Sequence, residues 1–279
     1  MFSSTILGGL LPWAIVPLAG ICLAVSAIGF RKTVYFISIG YGYSIAAMAI
    51  TSLAVAGRVA GAVTWLAAVL LAIYGIRLGT YLAIREGKAS YQATQKSDGD
   101  RSAGTGLAAK LGIWITVALL YPAMFMPALA RFVGEARGGA DQVPALSIAG
   151  VAVMAAGIAI EAVADLQKSA AKKRNPGRFC GSGLYRFIRC PNYFGELLVW
   201  TGNLLAGAAF LGGWLAWAIA AIGYVSIFLI MKGSARRLEI KQGECYGSDP
   251  EYQHYAETTP ILFPFLPIYS FKESVIYLG

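Results

Sequence analysis

The chain has 279 residues, of which 57% are hydrophobic and only 13% are charged, and its formal net charge is +9. Because a soluble domain carries about a quarter charged residues, this composition excludes an ordinary soluble domain and indicates an integral membrane protein. Most of the Lys and Arg residues lie in loops between long apolar runs, so the positive charge does not predict nucleic-acid binding.

The apolar runs predict an all-α, polytopic fold with seven transmembrane helices. The first run lacks a basic leading segment and a small-residue cleavage site, so we expect it to be a retained span and not a signal peptide. The predicted spans lie near residues 5–29, 34–56, 60–84, 107–130, 145–166, 193–211 and 213–231.

The basic residues predict the orientation of these spans. With the N-terminus outside, the intracellular segments hold 19 of the 23 Lys and Arg residues. The outer loops hold only Arg58, Arg131 and Arg137, and Arg77 lies within a span. This asymmetry follows the positive-inside rule and predicts a cytoplasmic C-terminus.

The chain has no internal repeat, and we interpret residues 1–279 as one membrane domain. Arg85–Gly106 is predicted to be a flexible cytoplasmic loop, and Ala130–Pro144 a shorter outer loop. After the last span, Arg236–Gly243 is expected to continue a helix, whereas the end of the chain is expected to be extended and to lie along the membrane.

Metal ligands are scarce. The chain has one histidine, His254, and four cysteines without CxxC spacing, so we expect no metal site. Structural disulfides are not expected either, because Cys22 lies inside a span and the other three cysteines are predicted on the reducing side of the membrane.

The third span, "IYGIRLGTYLAIREG", carries polar residues on one helical face. Tyr74 and Tyr81 are about 20° apart at 100° per residue, and Arg77 is about 60° away. Charges inside spans are costly and usually face the bundle interior. Either Arg77 pairs with a carboxylate while the tyrosines pack at an interface, or a tyrosine hydroxyl bonds a substrate oxygen.

The fifth span ends in "IAIEAVADLQKS", where Glu161 and Asp165 share a helical face. Like charges at this spacing destabilise a bare helix, which indicates that both have cationic or hydroxyl partners. They either cap the membrane edge with snorkelling side chains or bind the hydroxyls or amide of a ligand.

The stretch "GLYRFIRCPNYFGELLVW" (Gly183–Trp200) concentrates polar groups where a span begins. The basic residues before it, Lys172 to Arg178, could simply contact anionic lipids. However, Pro191 predicts a helix start at Asn192–Tyr193, with free N–H donors and a positive dipole end. Arginines at such an end favour a pyrophosphate, and Glu196 could accept hydrogen bonds from ribose hydroxyls or a carboxamide.

The same stretch resembles the signature of the steroid 5-alpha-reductase family and its bacterial relatives, and is similar to a run in sterol reductases of the lamin-B-receptor type. The tail "GECYGSDPEYQHYAETTPILFPFLP", the third span and "EAVADLQKS" also resemble segments of these families. The resemblance implies seven helices, a substrate slot in about residues 1–130 and a cytoplasm-facing NADPH site in about residues 145–279.

By this resemblance, Tyr74 hydrogen-bonds the substrate ketone, and Arg77 or Glu161 could tune its acidity. The residues Lys172 to Arg174 could meet the 2′-phosphate of NADPH. The cofactor-binding residues that the resemblance implies are Asp165, Lys172, Arg178, Tyr185, Arg189, Asn192, Tyr193, Glu196, Trp200, Arg237 and Glu239.

The expected reaction is reduction of the conjugated C=C bond of a lipophilic enone, such as a 3-oxo-delta-4 steroid. The protein is expected to be a multi-pass protein of the bacterial inner membrane or, in a eukaryote, of the endoplasmic reticulum. The chain departs from the family pattern: it lacks the Gln-Glu pair of steroid reductases, Glu161 stands where the family has asparagine, and Cys190 replaces a histidine. The alternative is an S-adenosylmethionine-dependent membrane methyltransferase of the isoprenylcysteine or phospholipid type, which shares the Arg-x-Pro-x-Tyr-x-Gly run.

Overall fold

The computed structural model describes residues 5–87, 105–141 and 143–278. Within these ranges the chain forms eight α-helices, joined by loops and short 3₁₀ turns, and no β-strand, so the predicted all-α fold is confirmed. The helices are α1 (Thr5–Ser26), α2 (Ile39–Ala56), α3 (Ala62–Glu86), α4 (Leu107–Ala136), α5 (Pro144–Arg174), α6 (Pro191–Gly207), α7 (Trp214–Tyr246) and α8 (Pro250–Thr258).

Five helical segments of the described residues are long and apolar enough to cross a membrane. They are Thr33–Ala56, which ends with α2, and the helices α3, α4, α5 and α7. Helix α6 has 17 residues, and among the described side chains Ala14–Phe30, which runs from α1 into the following 3₁₀ turn, is a shorter apolar segment. The number of seven spans and their orientation therefore stay predictions.

The helix boundaries confirm some local predictions and correct others. Helix α6 begins at Pro191, as the proline indicated, and α7 continues through Arg236–Gly243 to Tyr246. The outer loop was predicted to begin at Ala130, which is wrong because α4 continues to Ala136. The predicted cytoplasmic loop, Arg85–Gly106, lies mostly outside the described residues.

The described residues group into two compact units. Unit 1 comprises the described residues within 1–151 and 203–223, and unit 2 comprises those within 152–202 and 224–279. Each unit is thus built from two separate stretches of chain. The assignment of a substrate half and a cofactor half to the sequence stays a prediction.

In unit 1, α2 and α3 are in backbone contact through three glycines. A Cβ built on Gly42 would lie 2.7 Å from the Gly79 nitrogen and 2.8 Å from the Gly75 carbonyl oxygen. The pair Gly75-x-x-x-Gly79 is the small-residue spacing that lets membrane helices approach closely. This contact sets the positions of the neighbouring side chains Tyr41 and Tyr74.

A buried arginine, Arg131, joins several elements of unit 1. It was predicted to be an outer-loop residue, but it lies on α4 and is only 2% exposed. Its guanidinium donates to Thr64 (2.8 Å), Glu135 (3.0 Å), Asp141 (2.9 Å) and Ser147 (2.9 Å), and to the Ala206 carbonyl (2.7 Å). Two carboxylates and three neutral oxygen acceptors thus compensate the buried guanidinium charge. A buried cation without such partners would be costly.

Candidate functional site

The candidate cofactor site of unit 2 is organised by a crossing of α5 and α6. A Cβ on Gly157 would lie 2.6 Å from the Gly195 carbonyl oxygen and 2.7 Å from the Val199 nitrogen. A Cβ on Gly195 would in turn lie 2.9 Å from the Cβ of Glu161. Since later residues of α5 meet earlier residues of α6, the helices run antiparallel, and the part of α5 around Glu161 lies beside the start of α6.

This crossing gathers carboxylates. Glu161 is 2% exposed, and Asp165 and Glu196 are each 6% exposed. The prediction that Glu161 and Asp165 share one face is confirmed, and that face is buried. Buried carboxylates require compensating positive charge or hydrogen bonds. The N-terminal end of the α6 dipole supplies part of this positive charge, because the first residues of a helix favour nearby anions.

Asn192 lies in the first turn of α6, at the same end as the carboxylates. Its side-chain oxygen, Oδ1, is buried and accepts no hydrogen bond from the residues that the structure describes. A buried amide oxygen without a donor costs free energy. A ligand amide or hydroxyl would supply such a donor, so this atom is a specific indication of a binding site.

The loop before α6 is fixed against α5. Gly183 has a φ of +64°, and a Cβ there would collide with the side chain of Gln167, so only glycine is suited to this position. Gln167 accepts a hydrogen bond from the Leu184 nitrogen at 2.8 Å. Tyr185 donates from its hydroxyl to the Ala164 carbonyl at 3.3 Å, beside Asp165.

Two predicted cofactor-binding cations have partners within the protein. Lys172 donates to the carbonyls of Pro176 (3.1 Å) and Arg178 (2.6 Å) and to the Tyr246 hydroxyl, so it stabilises the turn after α5. Arg178 is paired with Glu251 on the surface. Lys173 and Arg174 are exposed at the end of α5, and their predicted contact with a phosphate stays a prediction.

Arg189 and Glu239 form a buried ion pair. The Arg189 Nη2 atom lies 3.1 Å from the Glu239 carboxylate and also donates to the Tyr269 carbonyl. The second oxygen of Glu239 accepts from the Phe271 nitrogen at 2.8 Å. The structure thus gives both residues a role in joining the loop, α7 and the C-terminal segment. Their predicted contact with a cofactor stays a prediction.

The remaining predicted residues of unit 2 lie on α6 and α7. Trp200 is buried, and Tyr193 is partly buried in the first turn of α6. Arg237 donates to Ser234 on its own helix at 2.9 Å. The structure therefore brings Glu161, Asp165, Asn192 and Glu196 together at one crossing, whereas Arg178 and Arg237 have local partners.

Phe179, in the loop between α5 and α6, packs against two aromatic residues of α8. Phe179 stacks on Tyr255 with ring centroids 5.0 Å apart and makes an edge contact with Tyr252 at 5.4 Å. Burial raises the pKa of the Cys190 thiol to about 12 and also raises the pKa of Tyr255, against the opposing effect of Arg189. These groups therefore remain protonated near neutral pH and act as structural packing.

A groove of about 690 Å³ lies between the end of α7, α8 and the C-terminal segment. It shares only Glu239 with the predicted cofactor-binding residues, and its lining also includes Tyr252, Gln253, Tyr269 and Lys272. The groove and the α5–α6 crossing are therefore two different features of unit 2.

In unit 1, the predicted catalytic residue Tyr74 is fully buried, and its hydroxyl lies 3.0 Å from the hydroxyl of Tyr41. Arg77, one turn further along α3, is partly buried. A second tyrosine, Tyr121, packs on the Tyr41 ring with centroids 5.3 Å apart and donates to the Phe36 carbonyl at 2.6 Å. The tyrosines thus form one polar cluster between α2, α3 and α4.

Tyr41 was not among the predicted site residues. Tyr41 carries no charge and lies in an apolar helix, so nothing in its own segment marks it as functional. The glycines at positions 42, 75 and 79 do carry a signal, because their spacing predicts a close helix contact. A residue adjacent to such a contact is a reasonable candidate for pairing with Tyr74.

The comparisons with known proteins give a family and nothing finer. No curated protein and no solved structure matches the chain. One family model, described as "Protein of unknown function (DUF1295)", matches residues 27–259. This match covers helices α2 to α8, and with them both the tyrosine cluster and the α5–α6 crossing. The chain therefore belongs to the DUF1295 family.

Proposed function

We propose that this protein is an NADPH-dependent membrane reductase that reduces the conjugated C=C bond of a lipophilic enone. The single observation that carries the proposal is the buried Oδ1 atom of Asn192, which lacks a donor within the described residues. This atom lies at the start of α6, where buried carboxylates gather. The family is related to the steroid 5-alpha-reductases, which supports the reaction class.

The residues at the crossing fit the polar parts of a nicotinamide nucleotide. Asn192 Oδ1 would accept from an amide or hydroxyl, and the carboxylates Asp165 and Glu196 would accept from ribose hydroxyls. The exposed cations Lys173 and Arg174 would pair with phosphate groups, which favours NADPH over NADH through the additional 2′-phosphate. NADPH, when bound, supplies a hydride.

The proposal assigns the substrate ketone to Tyr74. A tyrosine hydroxyl in a buried, water-excluded position can donate to an oxygen on which negative charge develops. Tyr41, at 3.0 Å, can in turn donate to the Tyr74 oxygen, which polarises the Tyr74 O–H bond. We further propose seven spans with the N-terminus outside and the cofactor site facing the cytoplasm, as the basic residues predict.

The direct test is enone-dependent oxidation of NADPH by the detergent-purified protein, with a 3-oxo-delta-4 steroid and simpler lipophilic enones. The proposal expects oxidation with at least one enone, and a loss of about 10²–10³ in kcat for Tyr74→Phe, the size of effect seen when a donor to a developing oxyanion is removed. The alternative, methyl transfer from S-adenosylmethionine, would be favoured by methylation of a lipid in place of NADPH oxidation.

A further inference from the structure

The last residues of unit 2 run back along α7. We name residues 271–278 the C-terminal strap. The Phe271 nitrogen donates to Glu239 at 2.8 Å, and the Leu278 nitrogen donates to the Leu229 carbonyl at 3.2 Å. Between these points, Arg236 donates to the Lys272 carbonyl at 3.0 Å. The strap is therefore antiparallel to α7 over ten helical residues, or about 15 Å.

A glycine on α7 permits this approach. A Cβ built on Gly233 would collide with the carbonyl oxygen of Leu278 and would lie 3.2 Å from the Tyr277 ring. A residue with a side chain at position 233 would push the strap away. By contrast, Gly243, further along the same helix, has only ordinary contact with Lys272 at 3.6 Å.

The strap lies where α7 leaves the apolar part of a membrane. Helix α7 is one of the candidate spans, and no residue from Trp214 to Met231 carries a charge. These eighteen residues extend about 27 Å along a helix, close to the roughly 30 Å of a bilayer's hydrocarbon core. The Leu278 end of the strap, level with Leu229, is thus at the edge of that core.

The strap presents apolar side chains outward at this level. Val275 is 88% exposed and Ile276 is 67% exposed, although neither has a polar group that would interact with water. Cations accompany them: Lys232 lies over the Phe271 ring at 5.6 Å, and Arg236 lies over the Tyr277 ring at 4.8 Å. The strap itself adds Lys272 and one acid, Glu273.

We propose that the C-terminal strap is a lipid-binding element, in which Val275 and Ile276 enter the acyl region and Lys232 and Arg236 contact anionic headgroups. Apolar side chains beside Lys and Arg are the usual composition of interfacial membrane anchors. The strap would hold the end of α7, and with it Glu239 and the loop bonded to it, at a fixed depth in the membrane. This role does not depend on the reductase proposal.

The test is the membrane depth of a spin label at residue 275. The full chain with Cys245→Ser, which removes the exposed thiol, would carry Val275→Cys with a nitroxide in nanodiscs of phosphatidylcholine and phosphatidylglycerol. We expect collisions with oxygen to exceed collisions with a water-soluble nickel chelate, and the opposite order for a label at the exposed residue 244 (Glu244→Cys). Equal nickel access at the two positions would overturn the proposal, as would shielding of the 275 label from both reagents, which would indicate cover by a second protein copy.

Further variants test the two parts of the proposal, which are the position of the strap on α7 and the contact of its cations with anionic headgroups. Gly233→Ala should shift the 275 label toward the nickel-accessible profile, whereas Gly243→Ala should leave it unchanged. Lys232→Gln keeps the hydrogen bonds of the strap but should reduce the increase in depth that phosphatidylglycerol causes relative to phosphatidylcholine alone, since only Arg236 then remains for the headgroups. If the depth of the 275 label in the unmodified background does not change with lipid charge, the headgroup part of the proposal is wrong.

Discussion

Gly157 and Gly195 lie in backbone contact: a Cβ on Gly157 would be 2.6 Å from the Gly195 carbonyl oxygen, and one on Gly195 would be 2.7 Å from the Gly157 carbonyl oxygen. Neither helix can approach the other in this way with a larger residue. This pair therefore determines how close Glu161 lies to the start of α6, and it links the sequence to the geometry of the candidate cofactor site.

We predict that Gly195→Ala lowers the stability of the protein by about 1–3 kcal/mol, because the added methyl group overpacks the crossing. A reduced melting temperature of the detergent-purified protein would measure this. Gly112→Ala is the matched control, since a Cβ at Gly112 meets nothing within 4 Å and alanine favours the helix. Equal melting temperatures for the two variants would contradict the close contact.

The buried pair of Arg189 and Glu239 gives a second prediction. Replacing Arg189 by Met leaves the Glu239 carboxylate buried without its cation, which costs about 3–5 kcal/mol. The surface pair of Arg178 and Glu251 has side chains that are 53% and 63% exposed, and Arg178→Gln should cost at most about 1 kcal/mol.

Thermal melting of both variants checks the ranking. Adding Glu239→Leu to Arg189→Met should recover part of the lost stability, because the stranded charge is then removed as well. A loss for Arg189→Met no larger than that for Arg178→Gln would show that the ion pair is not buried in the way described.

The cysteines predict a labelling pattern. All four are free, and only Cys245 is exposed. Burial raises the pKa of Cys190 to about 12 and that of Cys180 above its ordinary value, so both thiols stay protonated at pH 7. At pH 7 the folded protein should take one maleimide per chain, and the protein unfolded in SDS should take four. Mass spectrometry of intact protein measures both numbers, and rapid labelling of Cys190 in the folded protein would contradict the burial.

The tyrosine pair predicts a graded effect on activity. Under the proposed reaction, Tyr41→Phe removes one hydrogen bond to the Tyr74 hydroxyl and should lower kcat by roughly three- to tenfold, with little effect on KM. Tyr74→Phe should have the larger effect. Tyr43→Phe is the control, because the Tyr43 hydroxyl bonds Thr80 on an exposed face at 3.1 Å. An equal loss for Tyr43→Phe and Tyr41→Phe would contradict a positioning role for Tyr41.

The sequence predicted those features that local chemistry determines. Pro191 indicated the start of α6, and the four-residue spacing of Glu161 and Asp165 placed both on one face. It did not predict the burial of Arg131, because its partners Asp141, Ser147 and Ala206 come from separate elements that only the folded chain brings together. The same reason applies to Tyr41, whose importance depends on its distance from a residue of another helix.

The measurement that tests the account most directly is a thermal shift of the detergent-purified protein with NADPH. We predict that NADPH raises the melting temperature, that Asn192→Ala and Glu196→Ala each abolish the rise, and that His254→Ala, on the exposed face of α8, retains it. No rise with NADPH, together with a rise with S-adenosylmethionine, would contradict the reductase proposal and favour the methyltransferase.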